Sequence, residues 1–224
     1  MCRSGRRYRS AMSEFSDSYH LVTDAQADGI ALLERAGLGG WVFPPGNGWC
    51  MVVVAGQFAG AADARILQAN EGVLLYYLNA EDHGWGFAVW SGTEEVGSYG
   101  IEWTEDIGVE DRDLHLDALH EALTPVPASA WPAIDAELTT TPDESAIFGA
   151  TGNPGHRVAG LLGLERVEWM SGAALEHDPD LAGVPGVVSV DGEPVGIPSI
   201  AEMLEQRERF EREHGMTDEP PDLP

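Results

Sequence analysis

The chain has 224 residues and 24.1 kDa, with 38 acidic side chains against 12 basic ones, a formal net charge of −26 and 43% apolar residues. That length fits one large domain, or one domain with an appendage, and is enough to bury a core without a metal or disulfide staple. No apolar run approaches the ~20 residues of a membrane helix, basic Met1–Ser10 leads into polar Ser13–Ser18 rather than an apolar secretory core, and Cys2 and Cys50 make no disulfide framework, so a cytoplasmic protein is expected.

Residues 1–14 read as a tail or a misassigned start, with Met12 as the alternative first residue. Tyr19–Val22 reads as a short strand. Thr23 with Gln26 forms a capping-box pattern, and the helix it opens carries Ile30 and Leu33 and stops at Gly37. Gly40–Pro44 and the continuously apolar Trp49–Ala55 read as strands joined by Pro45-Gly46-Asn47-Gly48, where Asn-Gly tolerates positive φ. Ala61–Ala69 is a short helix, Val73–Leu78 and Trp85–Trp90 are strands, and Tyr99, Ile101 and Trp103 alternate as on a half-buried strand. Asp113 is expected to begin a helix carrying Leu116, Leu119 and Leu123.

After Thr124 the texture changes. Pro125, Pro127 and Pro132 break regularity, and Pro142–Phe148 can form a helix. Val158, Leu161 and Leu162 form a helical stripe. Val187–Val190 with Asp191-Gly192 reads as a hairpin opening, and Ser199 with Glu202 opens a helix over 200–214. Asp218–Pro224 is an acidic tail.

The pattern Gly48-Trp49-x-x-x-Val53-x-x-Gly56 recurs as Gly84-Trp85-x-x-x-Val89-x-x-Gly92. With the order helix–strand–turn–strand occurring twice, this predicts an α+β fold. An antiparallel sheet is built from a duplicated αββ unit, with helices on one face. The alternative cut, β-α-β-β-α-β over Tyr19–Leu78, is the order of a ferredoxin-like sandwich. The sheet domain is expected over 15–124, a mainly helical C-terminal subdomain packed on it over 125–216, and a tail over 217–224.

All 12 basic residues are arginines, and four of them precede Met12, leaving eight to face all 38 acids. Such a body repels phosphate backbones, so nucleic acid is not an expected partner. Acidity of this kind also arises as a host background or for solubility. Glu102–Glu121 holds eight acids against Arg112 alone and lacks the spacing of a calcium loop. Glu102, Glu105, Asp106, Glu110, Asp111 and Asp113, beside Trp85 and Trp103, are therefore candidate contacts for a basic protein partner. His115, Asp117, His120 and Glu121 are metal-ligand types. His115 and His120 are five apart and share no helix face, so no metal or other cofactor is assigned.

Gly149-Ala-Thr-Gly152-Asn-Pro-Gly155 resembles the glycine-rich turn of nucleotide-binding reductases, where backbone N–H groups cradle a pyrophosphate. That resemblance implies a ligand site at Gly149, Gly152, Asn153 and Gly155. The simpler reading is a loop between two helices with Asn153 capping the second. No catalytic Ser/His/Asp or Cys/His set can be assembled. The leading expectation is an inhibitor- or immunity-like binding protein without catalytic activity; the alternative is a small enzyme or sensor at the glycine loop. A homodimer is a third possibility.

Overall fold

The computed structural model describes residues 14–57, 62–80, 83–103, 108–140, 153–178, 180 and 183–195, with the backbone alone over 108–113. The chain forms β1 (Phe15–Val22), α1 (Gln26–Ala36), β2 (Gly40–Val42), β3 (Trp49–Val54), α2 (Ala64–Ala69), β4 (Val73–Ala80), β5 (Gly84–Ser91), β6 (Glu94–Glu102) and β7 (Gly108–Asp113). Then follow α3 (Leu116–Ala122), α4 (Trp131–Thr139), α5 (Pro154–Leu162), α6 (Gly172–His177) and β8 (Val188–Val190). The fold is mixed α+β, as expected. One eight-stranded sheet runs in the order β7-β6-β5-β4-β1-β3-β2-β8, and every neighbouring pair is antiparallel.

Alternation along the strands builds two cores. Tyr19, Cys50, Val52, Val54, Leu74 and Tyr76 point to the face covered by α1 and α2, where Leu32, Leu33 and Ile66 meet them. Trp49, Leu75, Tyr77, Trp85, Tyr99 and Ile101 point to the other face and pack under Leu119, Ile134, Val158 and Leu162 of α3, α4 and α5. Met51 and Val53 continue that second face toward Leu175 of α6. Helices therefore lie on both faces, correcting the one-sided expectation. An eight-stranded sheet this apolar has two faces to cover, and the C-terminal helices cover the second.

Local signals held where they act alone. Asn47 and Gly48 both take positive φ, at 54° and 80°, and Gly37 closes α1 at 69°. Other expectations shifted. β1 begins at Phe15, not Tyr19. The N-cap of α1 is Ala25, which has no side-chain acceptor; the Thr23 hydroxyl accepts from the Ala25 N–H and donates to Asp28, and the Gln26 amide donates to the carbonyls of Val42 and Gly186. Asp113 ends a strand instead of starting a helix. β8 joins β2 at the sheet edge, and after Asp191-Gly192 the chain bridges Glu193 to Leu38; among the described residues β8 pairs with no strand that follows it. Helices α4 and α6 escaped the sequence reading. The expected helices over 142–148 and 200–214 lie outside the described residues. No helix among the described residues is long and apolar enough to cross a membrane.

Candidate functional site

β1 lies between β3 and β4 inside the sheet, yet it buries Ser16, Asp17, Ser18 and His20 to at most 1% exposure. Buried polar groups cost stability unless hydrogen-bonded, so each needs a partner. They sort by parity onto the two faces.

On the α1/α2 side, Asp17 joins a small polar cluster. The Gln57 amide donates to Asp17 Oδ1 over 2.9 Å, and the Tyr19 hydroxyl donates to Gln57 Oε1 over 3.1 Å while accepting the Asp63 N–H over 2.7 Å. Asp17 Oδ2 has no hydrogen-bond partner. Burial pushes the Asp17 carboxyl up to about 7, against the opposing hydrogen bonds of Tyr76 and Gln57. The Tyr19 and Tyr76 rings stand 5.0 Å apart, and burial raises both phenols.

On the opposite side, Glu14 Oε1 accepts from the Ser16 hydroxyl at 3.0 Å and the Trp169 N–H at 3.3 Å, and lies 3.1 Å from His156 Nε2. Burial pushes the Glu14 carboxyl up, but the His156 hydrogen bond and charge, with Ser16 and Trp169, outweigh it and hold the group below its ordinary value. Asn79 bridges this cluster to α5: its Oδ1 accepts from the Asn153 amide over 2.9 Å. Trp169 reaches this arrangement with a positive φ of 60°. His20 stays neutral, pushed down to about 3 by burial, with Nε2 3.0 Å from Ser18 Oγ.

Next to the Asp17 cluster the described residues leave a cleft on the sheet face. Beyond Tyr76, Trp90 and Ala62 a cleft of about 360 Å³ lies over β4, β5 and β6, lined by Leu78, Gly84, Gly86, Ala88, Ser98 and Gly100, with Glu95 and Glu102 on its margin. Register fixes the geometry. Asp17 pairs Leu78, Leu78 pairs Gly86 and Gly86 pairs Gly100, so Asp17 ends a row whose other members line the cleft. Gly86 is required here, since a Cβ would come within 2.6 Å of the Tyr99 carbonyl.

The sequence-derived candidates disperse. Asn153 caps α5 by accepting the Gly155 N–H over 2.7 Å, so this N–H and the Asn153 amide are already engaged. Gly155 lies under Trp85, whose Cγ would be 2.9 Å from an added Cβ. Gly149 and Gly152 lie outside the described residues. Trp85 and Trp103 are buried, at 3% and 7% exposure. Glu102 is exposed at the end of β6; Glu110, Asp111 and Asp113 lie on the terminal strand β7; Glu105 and Asp106 are outside the described residues. His120 pairs Asp135 at 3.3 Å and lies over the Trp131 ring, and no metal-binding group occurs among the described residues.

Asp17, Gln57, Tyr76, Glu14, Asn79 and His156 were not found from sequence. The one available signal was the spacing Phe15-x-Asp17-x-Tyr19-x-Leu21, which puts Asp17 on an otherwise apolar face. Polar Ser16 and Ser18 masked it. No protein-family model, curated protein or solved structure matches the chain.

Proposed function

We propose that the chain is a non-catalytic binding protein that recognises a basic protein partner along the β6–β7 margin of its sheet. The observation that carries this is β7. It is the terminal strand, paired with β6 alone among the described residues, and it carries Glu110, Asp111 and Asp113; on β6, exposed Glu102 pairs Gly108, and exposed Glu94 and Glu95 lie at the other end of that strand, beyond the stretch paired with β7. An open sheet edge invites another strand. Acids there disfavour pairing with a second copy of the same edge and favour a basic strand, and a body of net charge −26 speeds that encounter. The test is titration of a labelled peptide alternating arginine and valine. Affinity should fall steeply between 50 and 500 mM salt, and it should be lost with Glu94, Glu95 and Glu102 changed to Gln. Salt-insensitive binding, or binding indifferent to those changes, would sink the reading.

A small ligand or nucleotide at Gly149–Gly155 is the second reading. Its support is the resemblance of Gly149-Ala-Thr-Gly152-Asn-Pro-Gly155 to a nucleotide-binding turn, followed directly by the start of α5 at Pro154. A nucleotide-specific rise in Tm, abolished by Gly152→Trp, is the expected result; no rise with any nucleotide removes the reading.

For the fold we read residues 19–78 as a ferredoxin-like unit. The strand order β4-β1-β3-β2, with α1 and α2 on one face, supports that cut. The duplicated αββ cut has the support of the Gly-Trp echo. Trp49 and Trp85 open β3 and β5 on the same face, and Gly56 and Gly92 follow those strands with φ of 72° and 58°.

A further inference from the structure

We propose that the cleft over β4, β5 and β6 is the seat of this chain's own C-terminal segment, residues 200–210, laid across the sheet as an amphipathic helix. This does not depend on the partner reading, which concerns the sheet margin.

The receiving surface comes first. Tyr76, Leu78, Ala88 and Trp90 belong to the sheet face that carries α1 and α2. Among the described residues those helices meet β1, β3 and the first part of β4, and the cleft of about 360 Å³ lies over the rest of that face. An apolar sheet face needs a covering layer. The floor includes Gly84, Gly86 and Gly100, which have no side chains, so a helix can approach the backbone closely and lodge large side chains there.

The chain is delivered to this face. The Val195 N–H donates to the Ala55 carbonyl over 2.7 Å, Val195 packs against the α1/α2 core, and Glu193 lies 3.9 Å from Arg65 of α2. Continuing the β1–β3 register sets Ala55 against Ser16, which pairs Asn79, which in turn pairs Trp85. The exit is therefore level with the cleft and three strand spacings, ~14 Å, from β5. The residues after Val195 lie outside the described ones. The linker Gly196-Ile197-Pro198-Ser199, in which Pro198 biases Ile197 to extended backbone, reaches about 13 Å. A helix opened by Ser199 and Glu202 then starts at the cleft.

The pattern of the segment fits what it would cover. Ile200, Met203, Leu204 and Phe210 fall on one helical stripe, with Glu205 on the opposite side. As a helix the segment is ~16 Å long, enough to cross three strands. Arg207 lies within the same stripe; its stem can lie along apolar surface while its guanidinium reaches Glu95 or Glu102, which line the cleft together with His83.

The test is disulfide formation in the full chain carrying Cys2→Ser, with Cys50 buried in its strand. Ala88→Cys on the cleft wall is combined in turn with Ile200→Cys, Met203→Cys and Leu204→Cys, oxidised at low protein concentration and read by peptide mass spectrometry. At least one of the three should form a disulfide within one chain, which requires the two side chains to touch. Ala88→Cys with Glu205→Cys should form none, and neither should Leu204→Cys with Ala133→Cys, exposed on α4 across the sheet. Independently, Leu204→Asp should lower Tm by about 3 °C or more while Glu205→Gln leaves it unchanged. No disulfide in any of the three pairs, equal disulfide formation in either control, or an unchanged Tm in Leu204→Asp would overturn the proposal. So would a disulfide formed only between two chains, which would seat a second copy in the cleft.

Discussion

Asp17 places a titratable group inside a sheet, and its stability consequence has a definite sign. Its carboxyl titrates near 3.8 when unfolded and about 7 when native. Below 3.8 both states hold the proton and stability is undiminished. Between 3.8 and about 7 the unfolded chain releases its proton first, so stability falls with rising pH and then levels. Three units correspond to on the order of 4 kcal/mol. Asp17→Asn, of equal shape and uncharged, should therefore raise Tm relative to the native chain at pH 8 and change it little at pH 4; denaturation at both values checks this. The neighbouring Asp63 works in the opposite sense: burial pushes it up, but Arg65 and the helix N–H groups hold it low, so the difference between the two chains isolates Asp17. Cys50, raised to about 11 by burial, should stay unreactive to thiol reagents until the chain unfolds, measured in a Cys2→Ser background.

Glycines separate by what surrounds them, and α5 shows this at the level of the element. The helix is capped by Asn153, starts with Pro154 and ends at Gly163 with φ of 79°. The two tryptophans of the echo hold its ends: Trp85 lies against Gly155, and Trp49 Nε1 donates to the Leu162 carbonyl over 3.0 Å. Arg157 fastens it to α4 through a two-pronged pair with Glu137 at 3.1 and 2.9 Å. Gly160 is exposed with nothing within 4 Å of an added Cβ, so Gly160→Ala should stabilise the protein by ~0.5–1 kcal/mol. Gly172→Ala should destabilise it by ~1–3 kcal/mol, because the new Cβ would lie 2.1 Å from the Val54 carbonyl, and backbone cannot step aside. Chemical denaturation of both variants checks the ranking, and an equal effect would refute it. This helix also shows how far sequence reading reaches. Val158 and Leu162 gave its buried stripe and Asn153 its cap, since both act within one or two turns. The role of Gly155 depended on Trp85, seventy positions earlier, and no local pattern reports that.

Across the whole molecule, 38 acids and 12 arginines leave a net charge of −26. Such a charge destabilises the compact state through self-repulsion, and salt screens it. Raising sodium chloride from 20 to 300 mM should therefore raise Tm at pH 8, and a fall would refute dominant self-repulsion. Placing acids on the terminal strand also discourages edge-to-edge association.

What the sequence determined by itself was whatever short-range chemistry controls. The apolar run Trp49–Val54 had to be a buried strand, Asn47-Gly48 had to turn, Gly37 had to end a helix, and the acid excess had to set the long-range field. The tertiary structure decided which strands are neighbours, and everything at the candidate site follows from that. β1 looked half polar and peripheral, yet pairing with both β3 and β4 puts it inside the sheet, so Ser16, Asp17, Ser18 and His20 are buried. Its register sets Asp17 in line with Leu78, Gly86 and Gly100, and among the described residues that face carries a cleft beyond Tyr76. The physical reason is that strand pairing joins residues far apart in the chain, so the burial of a polar side chain depends on partners that local propensity does not encode.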